Sequence, residues 1–307
     1  MMLAFGNPVY DSIRTPWVWT RDRVLSGCAT NAALALAKLG GDACVVGRVG
    51  TDRLDHYHRA LKSARIGHHT ETCRESGGFK LDYDQLGRRE LDVLGQAEAI
   101  TQIPDSISRA GIVFIGPVLQ ETPYDLIRTI RARTKATMVL DPQGLLRRAG
   151  AGGRIEHYKP DGIENLCALF DIVKPNELET EILTGVDPRK DLSRAAAILE
   201  GWGIPTVVIT LADLGALIVS EGRHYRFDAI PTLAADSTGA GDTFAGGLMY
   251  AISQGMDWRR AGCLATAVAS MMIEQCGPEF ELTPGEVRRR AAQVMVSEYH
   301  PASTAVA

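Results

Sequence analysis

From Ile112 onward, short Val/Ile-rich runs alternate with amphipathic stretches, and this alternation leaves few architectures open. Strands are expected at Ile112–Ile115, Thr137–Leu140, Leu169–Val173, Thr206–Ile209 and Ala216–Val219. Helices are expected at about Pro123–Arg133, Asn176–Leu183 and Leu192–Gly201, and a turn at Glu221-Gly222. Apolar strands separated by amphipathic helices imply an α/β fold, a mostly parallel central sheet with helices on both faces. Ligands of such sheets bind beyond the carboxyl ends of the strands. Gly116-Pro117, Asp141-Pro142-Gln143-Gly144, Lys174-Pro175-Asn176 and Thr210-Leu211 all fall there.

The N-terminal third is less regular. Leu3-Ala4-Phe5 reads as a buried strand ending at Gly6-Asn7, and Asp11 follows shortly after it. The stretch from Trp17 to Arg23 looks extended, with Trp17 and Trp19 on one face continued by Arg21 and Arg23. Two tryptophans on one face are expected to cover a ligand or to meet a partner. An Ala-rich helix is expected over Asn31–Leu39, a strand over Ala43–Val46 and a helix over Asp52–Ile66. Phe79, Leu81 and Tyr83 alternate as in a half-exposed strand. The chain has no Pro/Ser-rich linker and no internal repeat, so residues 1–307 read as one domain. Gly150-Ala151-Gly152-Gly153 reads as a flexible turn, and the residues from about His300 as a disordered tail.

Composition narrows the partners. Lys plus Arg total 33 against 37 Asp plus Glu, a formal charge of −4, which does not point to nucleic acid or an anionic membrane. A phosphorylated ligand would therefore be held by local geometry. The six cysteines are scattered without a Cys-x-x-Cys pair, which speaks against zinc or a disulfide framework and fits a reducing cytoplasm. No signal peptide or membrane-length apolar run is visible, so a cytoplasmic location is expected.

The most informative stretch is Asp236-Ser237-Thr238-Gly239-Ala240-Gly241-Asp242-Thr243-Phe244. After it, Phe244, Leu248 and Ile252 recur on one helical face, and Gly255 stands where that helix would end. Glycines opening a helix leave unpaired amides at its positive end, an anion site most suited to phosphate. Asp242 suits the helix dipole, yet beside a phosphate it would be repelled unless it has chemistry to perform. Farther back, Asn176 and Glu179 stand three apart at a helix start, where both can reach one site and Glu179 suits a hydrated Mg²⁺. The same pair also has the spacing of a helix cap. No Gly-x-x-x-x-Gly-Lys-Ser/Thr motif exists, which excludes a P-loop enzyme.

The string ending at Phe244 resembles the C-terminal signature of the ribokinase-like (phosphofructokinase-B type) carbohydrate kinases. Ser26-Gly27-Cys28-Ala29-Thr30-Asn31, followed by Gly47-Arg48-Val49-Gly50-Thr51-Asp52, is similar to their N-terminal signature, with Ser26 in place of its first Gly. Lys174-Pro175-Asn176-Glu177-Leu178-Glu179 carries the family's Asn-x-x-Glu, and Thr210 to Gly215 its nucleotide loop, with Ala212 in place of a Gly. Asp141 to Arg147 resembles the inositol-kinase-like branch.

The resemblance implies transfer of the γ-phosphate of ATP, with Mg²⁺, to a hydroxyl of a small uncharged sugar or cyclic polyol, myo-inositol-like compounds included. A nucleoside kinase, or a protein that only binds nucleotide or sugar and regulates, are the alternatives. It implies Asp242 as base, with the amides of Gly239, Ala240 and Gly241 on the moving phosphoryl group. Asp11, Gly27, Asn31 and Gln143 would meet the acceptor. Asn176, Thr210, Gly215, Gly241 and Thr266 would meet ATP, with the Cys276-Gly277 turn closing that pocket. Asn176 and Glu179 would serve Mg²⁺, and Asp236 a monovalent cation such as K⁺. Two insertions, about 12–25 and 68–94, would form a small β lid over the acceptor, through which a homodimer could pack.

Overall fold

Leu3 and Phe5 face one side of the first strand and Met2 and Ala4 the other, and this two-residue alternation builds two separate cores. The computed structural model describes residues 1–84, 89–275 and 280–299. The chain enters as β1 (Met2–Phe5), turns out through β2 (Val9–Arg14) and β3 (Val24–Ser26), and returns by α1 (Cys28–Lys38) to β4 (Ala43–Gly50). Then come α2 (Leu54–Ser63), β5 (Gly67–Cys73), β6 (Gly78–Tyr83) and β7 (Arg89–Gly95). β8 (Ile112–Ile115), α3 (Tyr124–Arg133), β9 (Thr137–Leu140), a hairpin of β10 (Arg147–Ala149) and β11 (Ile155–His157), and α4 (Ile163–Cys167) follow. The chain continues through β12 (Ile172–Val173), α5 (Glu177–Thr184), α6 (Leu192–Gly201), β13 (Thr206–Thr210), β14 (Ala216–Ser220) and β15 (Arg223–Phe227). It finishes with α7 (Ala240–Ser253), α8 (Trp258–Met272), α9 (Pro284–Ala291) and β16 (Val296–Tyr299).

The main sheet has ten strands in the order β16-β15-β14-β13-β12-β9-β8-β1-β4-β5. Neighbours pair in parallel from β5 to β13 and antiparallel from β13 to β16. Ala4, Phe114 and Val139 pack on one face with α1, α2, α7 and α8. Phe5, Ile115 and Leu140 pack on the other with α3, α4, α5 and α6. A second sheet of four strands, β3-β2-β6-β7, forms the small β lid. No helix among the described residues is long and apolar enough to cross a membrane.

Several expected boundaries move. The first helix begins at Cys28 rather than Asn31, because Gly27 at φ 115° ends the extended backbone before it. The strand expected at Ala43–Val46 runs on to Gly50, since β5 gives it a partner as far as Cys73. Residues 67–73 thus belong to the main sheet, and the second lid segment starts later than the expected 68. The strand expected at Leu169–Val173 shrinks to Ile172–Val173, because Leu169 and Phe170 close helical turns onto Leu166 and Cys167. Trp17 to Arg23 is not a strand. The Thr15 hydroxyl accepts the amides of Trp17 at 3.1 Å and Val18 at 2.9 Å, which bends the chain and leaves Trp17 81 % and Trp19 76 % exposed. Residues 150–153 form the turn between β10 and β11. The tail from His300 and the turn at Cys276-Gly277 lie outside the described residues.

The packing of α7 on α1 positions the site. At Gly246 a side-chain carbon would lie 2.4 Å from the carbonyl oxygen of Ala32, so only glycine allows the two helices to approach this closely. That approach brings Asn31, on α1, to the first turn of α7.

Candidate active site

Helix α7 opens at Gly239, whose φ of 84° is left-handed. A side chain there would also begin 2.9 Å from Asn31 Nδ2. The turn before it is held by Asp236, whose Oδ1 accepts the amide of Thr238 at 2.9 Å. Ala240 donates its amide to Ser237 at 3.2 Å, and the helix's own backbone gives the first-turn amides no earlier partner. A narrow cleft lined by Ser26, Asn31, Thr238, Gly239 and Thr243 opens there, beneath Ile13 and Val24 of the lid.

Asp242, in that first turn, is half-buried, and both its carboxylate oxygens are held. Asn31 Nδ2 donates to Oδ2 at 3.0 Å and Gln143 Nε2 to Oδ1 at 3.4 Å. Burial and the nearby Asp141 carboxylate raise its proton affinity, while Asn31, the Cys28 thiol and Lys174 oppose the rise. The net shift is upward, in the direction a carboxylate needs to take a proton near neutrality.

Three elements carry the charged floor. Asp141 follows β9, Lys174 follows β12, and Cys28 opens α1. Lys174 is 1 % exposed, and its Nζ lies 2.8 Å from Asp141 Oδ2. Cys28 Sγ and carboxylate oxygens of Asp141 and Asp242 lie within 4.8 Å of one another. A metal-like spacing is thus present, but the ammonium of Lys174 already supplies the positive charge at Asp141.

Past the end of β12, Asn176 caps α5. Its Oδ1 accepts the Glu179 amide at 3.0 Å, while the two Glu179 oxygens accept Asn176 N at 2.9 Å and Nδ2 at 2.6 Å. Buried Glu179 is pushed up to about 7, by burial first and then by Asp141, against Lys174, Asn176 and Arg147. Thr210 lies beside Asn176, donating its amide to Pro175 O at 3.1 Å. Gly215 turns at φ 84°, where a side chain would meet Phe227 O at 2.0 Å. Thr266 is buried on α8, and its hydroxyl has no hydrogen-bond partner among the described residues. On the lid side, Asp11 is buried and its Oδ1 accepts the Phe79 amide at 2.9 Å.

The model of pfkB family carbohydrate kinases matches residues 20–284. The chain belongs to this family. A cytidine kinase of Thermococcus kodakarensis is 31% identical to this pfkB-family kinase over 238 residues, 75% of the chain and 79% of the relative. A nucleoside kinase of Methanothermobacter thermautotrophicus is 31% identical over 320 aligned positions, covering 95% of the chain and 96% of the relative. Among solved structures, a pyrophosphate-dependent kinase of the ribokinase family, complexed with a pyrophosphate analogue and myo-inositol, superposes with a TM-score of 0.80. It is 19% identical, covering 94% of this chain and 99% of that one.

In this pfkB-family kinase, Asn31, Gln143, Gly239 and Gly241 gather around Asp242, while Asn176, Glu179 and Thr210 form a neighbouring group. Sequence reasoning quoted Asp141, Lys174 and Cys28 within motifs and gave them no role. A signal was available for two of them: each is a charged residue directly after an apolar strand, at the sheet edge where ligands bind. Arg147, at the end of the Asp141 motif, is buried, and its charge opposes the rise in the proton affinity of Glu179.

Proposed function

We propose that this pfkB-family kinase transfers the γ-phosphate of ATP to a hydroxyl of a small uncharged sugar or cyclic polyol. The observation that carries the reading is Asp242, gripped by Asn31 and Gln143 in the first turn of α7, beside the amides that open that helix. The acceptor oxygen attacks the γ-phosphorus and its proton passes to Asp242. The bond to the bridging oxygen breaks and ADP leaves with that electron pair. The amides of Gly239 and Gly241, with that of Ala240 released from Ser237, stabilise the charge on the phosphoryl oxygens. Asp11, Gly27 and Asn31 offer the acceptor hydroxyl-binding groups without a cation. Lys80 is tied to Asp82 at 2.5 Å, and Arg21 and Arg23 are exposed. An uncharged acceptor follows, since a charged one needs a fixed cation.

The family implies Mg²⁺. With both Glu179 oxygens taken by Asn176, the pair fits a hydrated ion held through water. Bound there, Mg²⁺ would neutralise charge on the donor phosphates. Thr210, Gly215 and Thr266 serve the nucleotide. Asp236 is proposed to support a monovalent cation, tested by exchanging potassium for a large organic cation. The exposed Trp17 and Trp19 favour a homodimer packed through the lid, which sedimentation tests.

A nucleoside acceptor is the second reading, favoured by the names of the two relatives at 31% identity. ADP release with ATP as donor, and orthophosphate release with pyrophosphate as donor, measured across sugars, polyols and nucleosides, separate the readings. Asp242→Asn is expected to lose about 10²–10⁴ in rate with folding and ATP binding kept. A folded, ATP-binding variant still within about tenfold of wild type would refute the base. No turnover with any acceptor would favour a binding and regulatory role.

A further inference from the structure

Resting on the kinase reading, we propose that Lys174 is a catalytic residue, an ammonium that bears on the transferring phosphoryl group and is parked on Asp141 until that group arrives. The placement argues for this. Lys174 follows β12, beyond the carboxyl ends of the strands, and a side chain begun at Gly241 in the first turn of α7 would start 3.5 Å from its Nζ. Gly241 is one of the residues whose amides face the phosphoryl group, so the ammonium stands at the wall of the same anion site. The absence of a side chain at Gly241 leaves that approach open.

A purely structural ion pair is the competing account. Buried pairs often contribute little to stability compared with apolar residues of similar size, because removing both charges from water is costly. A lysine 1 % exposed, beside the start of α7 and within reach of the base cluster, is therefore poorly explained by stability alone. The charge balance also fits. Asp141 and Asp242 alone would set two negative charges beside an incoming phosphoryl group, and the ammonium offsets one of them. Lys174 supplies a fixed cation where the helix supplies only partial charges. Asp141 keeps that cation from pairing with Asp242, which must stay available for the acceptor proton. Asp141 is thus a positioning residue.

The single change Lys174→Met would leave Asp141 buried and alone, so the test uses the neutral double variant Lys174→Met with Asp141→Asn, alongside Lys174→Arg. The readouts are acceptor-dependent turnover, melting temperature, ADP affinity, and the affinity of ADP plus fluoroaluminate, a planar mimic of the moving phosphoryl group. The double variant is expected to fold and to bind ADP as wild type does. Its turnover and its affinity for the mimic should both fall by about 10²–10³. Lys174→Arg should recover part of each loss. A folded double variant whose turnover and mimic affinity stay within about tenfold of wild type overturns the proposal. If the wild type turns over no acceptor, the kinase reading fails separately, and the fluoroaluminate titration still decides the lysine: equal affinity in wild type and variant overturns it.

Discussion

The hydroxyl of Tyr83, at the end of β6, lies 2.9 Å from the hydroxyl of Thr238, one residue before the glycine that opens α7. At the start of the same strand, the Phe79 amide donates to Asp11. One lid strand therefore touches Asp11, proposed to meet the acceptor, at one end and the turn that opens α7 at the other. Thr15, beyond β2, makes a second lid contact to that segment by donating to Ala235 O at 3.4 Å.

This link predicts the behaviour of Tyr83→Phe. The variant loses one hydrogen bond, about 0.5–1.5 kcal/mol net, so kcat/KM for the acceptor should fall roughly twofold to tenfold. Acceptor-independent ATP hydrolysis should rise relative to transfer, because water is shut out less well. An unchanged ratio of hydrolysis to transfer would show that the bond only packs the lid.

Asp11→Ala should weaken acceptor binding while ATP affinity hardly changes. The alanine also strands the Phe79 amide, at about 1–3 kcal/mol of stability. Asp11→Asn keeps an oxygen for that amide and separates the two effects. Calorimetric titration of both ligands, with melting curves, tests this. An acceptor affinity equal to wild type in both variants removes Asp11 from the site.

Glu179 makes stability depend on pH. Its folded value near 7 lies above the ordinary 4.5, so the folded protein binds this proton more tightly than the unfolded chain. The contribution is fully present below about 4.5 and is lost as pH rises through about 7. Glu179→Gln, which still completes the helix cap, should flatten melting temperature against pH over that window. A variant with the wild-type slope assigns the dependence to another group.

Gly246→Ala should act at a distance. Its new carbon would press on Ala32 O, part α7 from α1 and loosen Asn31 from Asp242. A cost of about 1–3 kcal/mol is expected, with a lower kcat at temperatures where the variant remains folded. A stable variant with full activity would mean that the helix contact does not position the base.

Much of the site was readable because it is local. A left-handed glycine before an apolar helix and an Asn-x-x-Glu cap each involve a few neighbouring residues, as do the polar residues ending apolar strands. Turn chemistry and side-chain period specify these without knowledge of the rest of the chain. The two-faced sheet was legible for the same reason, since each Val/Ile run carries its own alternation.

Sequence alone thus determined the α/β class, the helix start bearing Asp242 and the capping pair at Asn176 and Glu179. Tertiary structure decided that β5 belongs to the main sheet, because an edge strand is defined by the neighbour it pairs with. It decided that Trp17 and Trp19 project from a bend, because Thr15 turns the chain and only a single bridge, Trp19 to Arg14, pairs there. It also brought Asn31 to Asp242 across 211 residues and Lys174 to Asp141. Those contacts depend on sheet order and on the close approach of α1 to α7, and no local pattern encodes either.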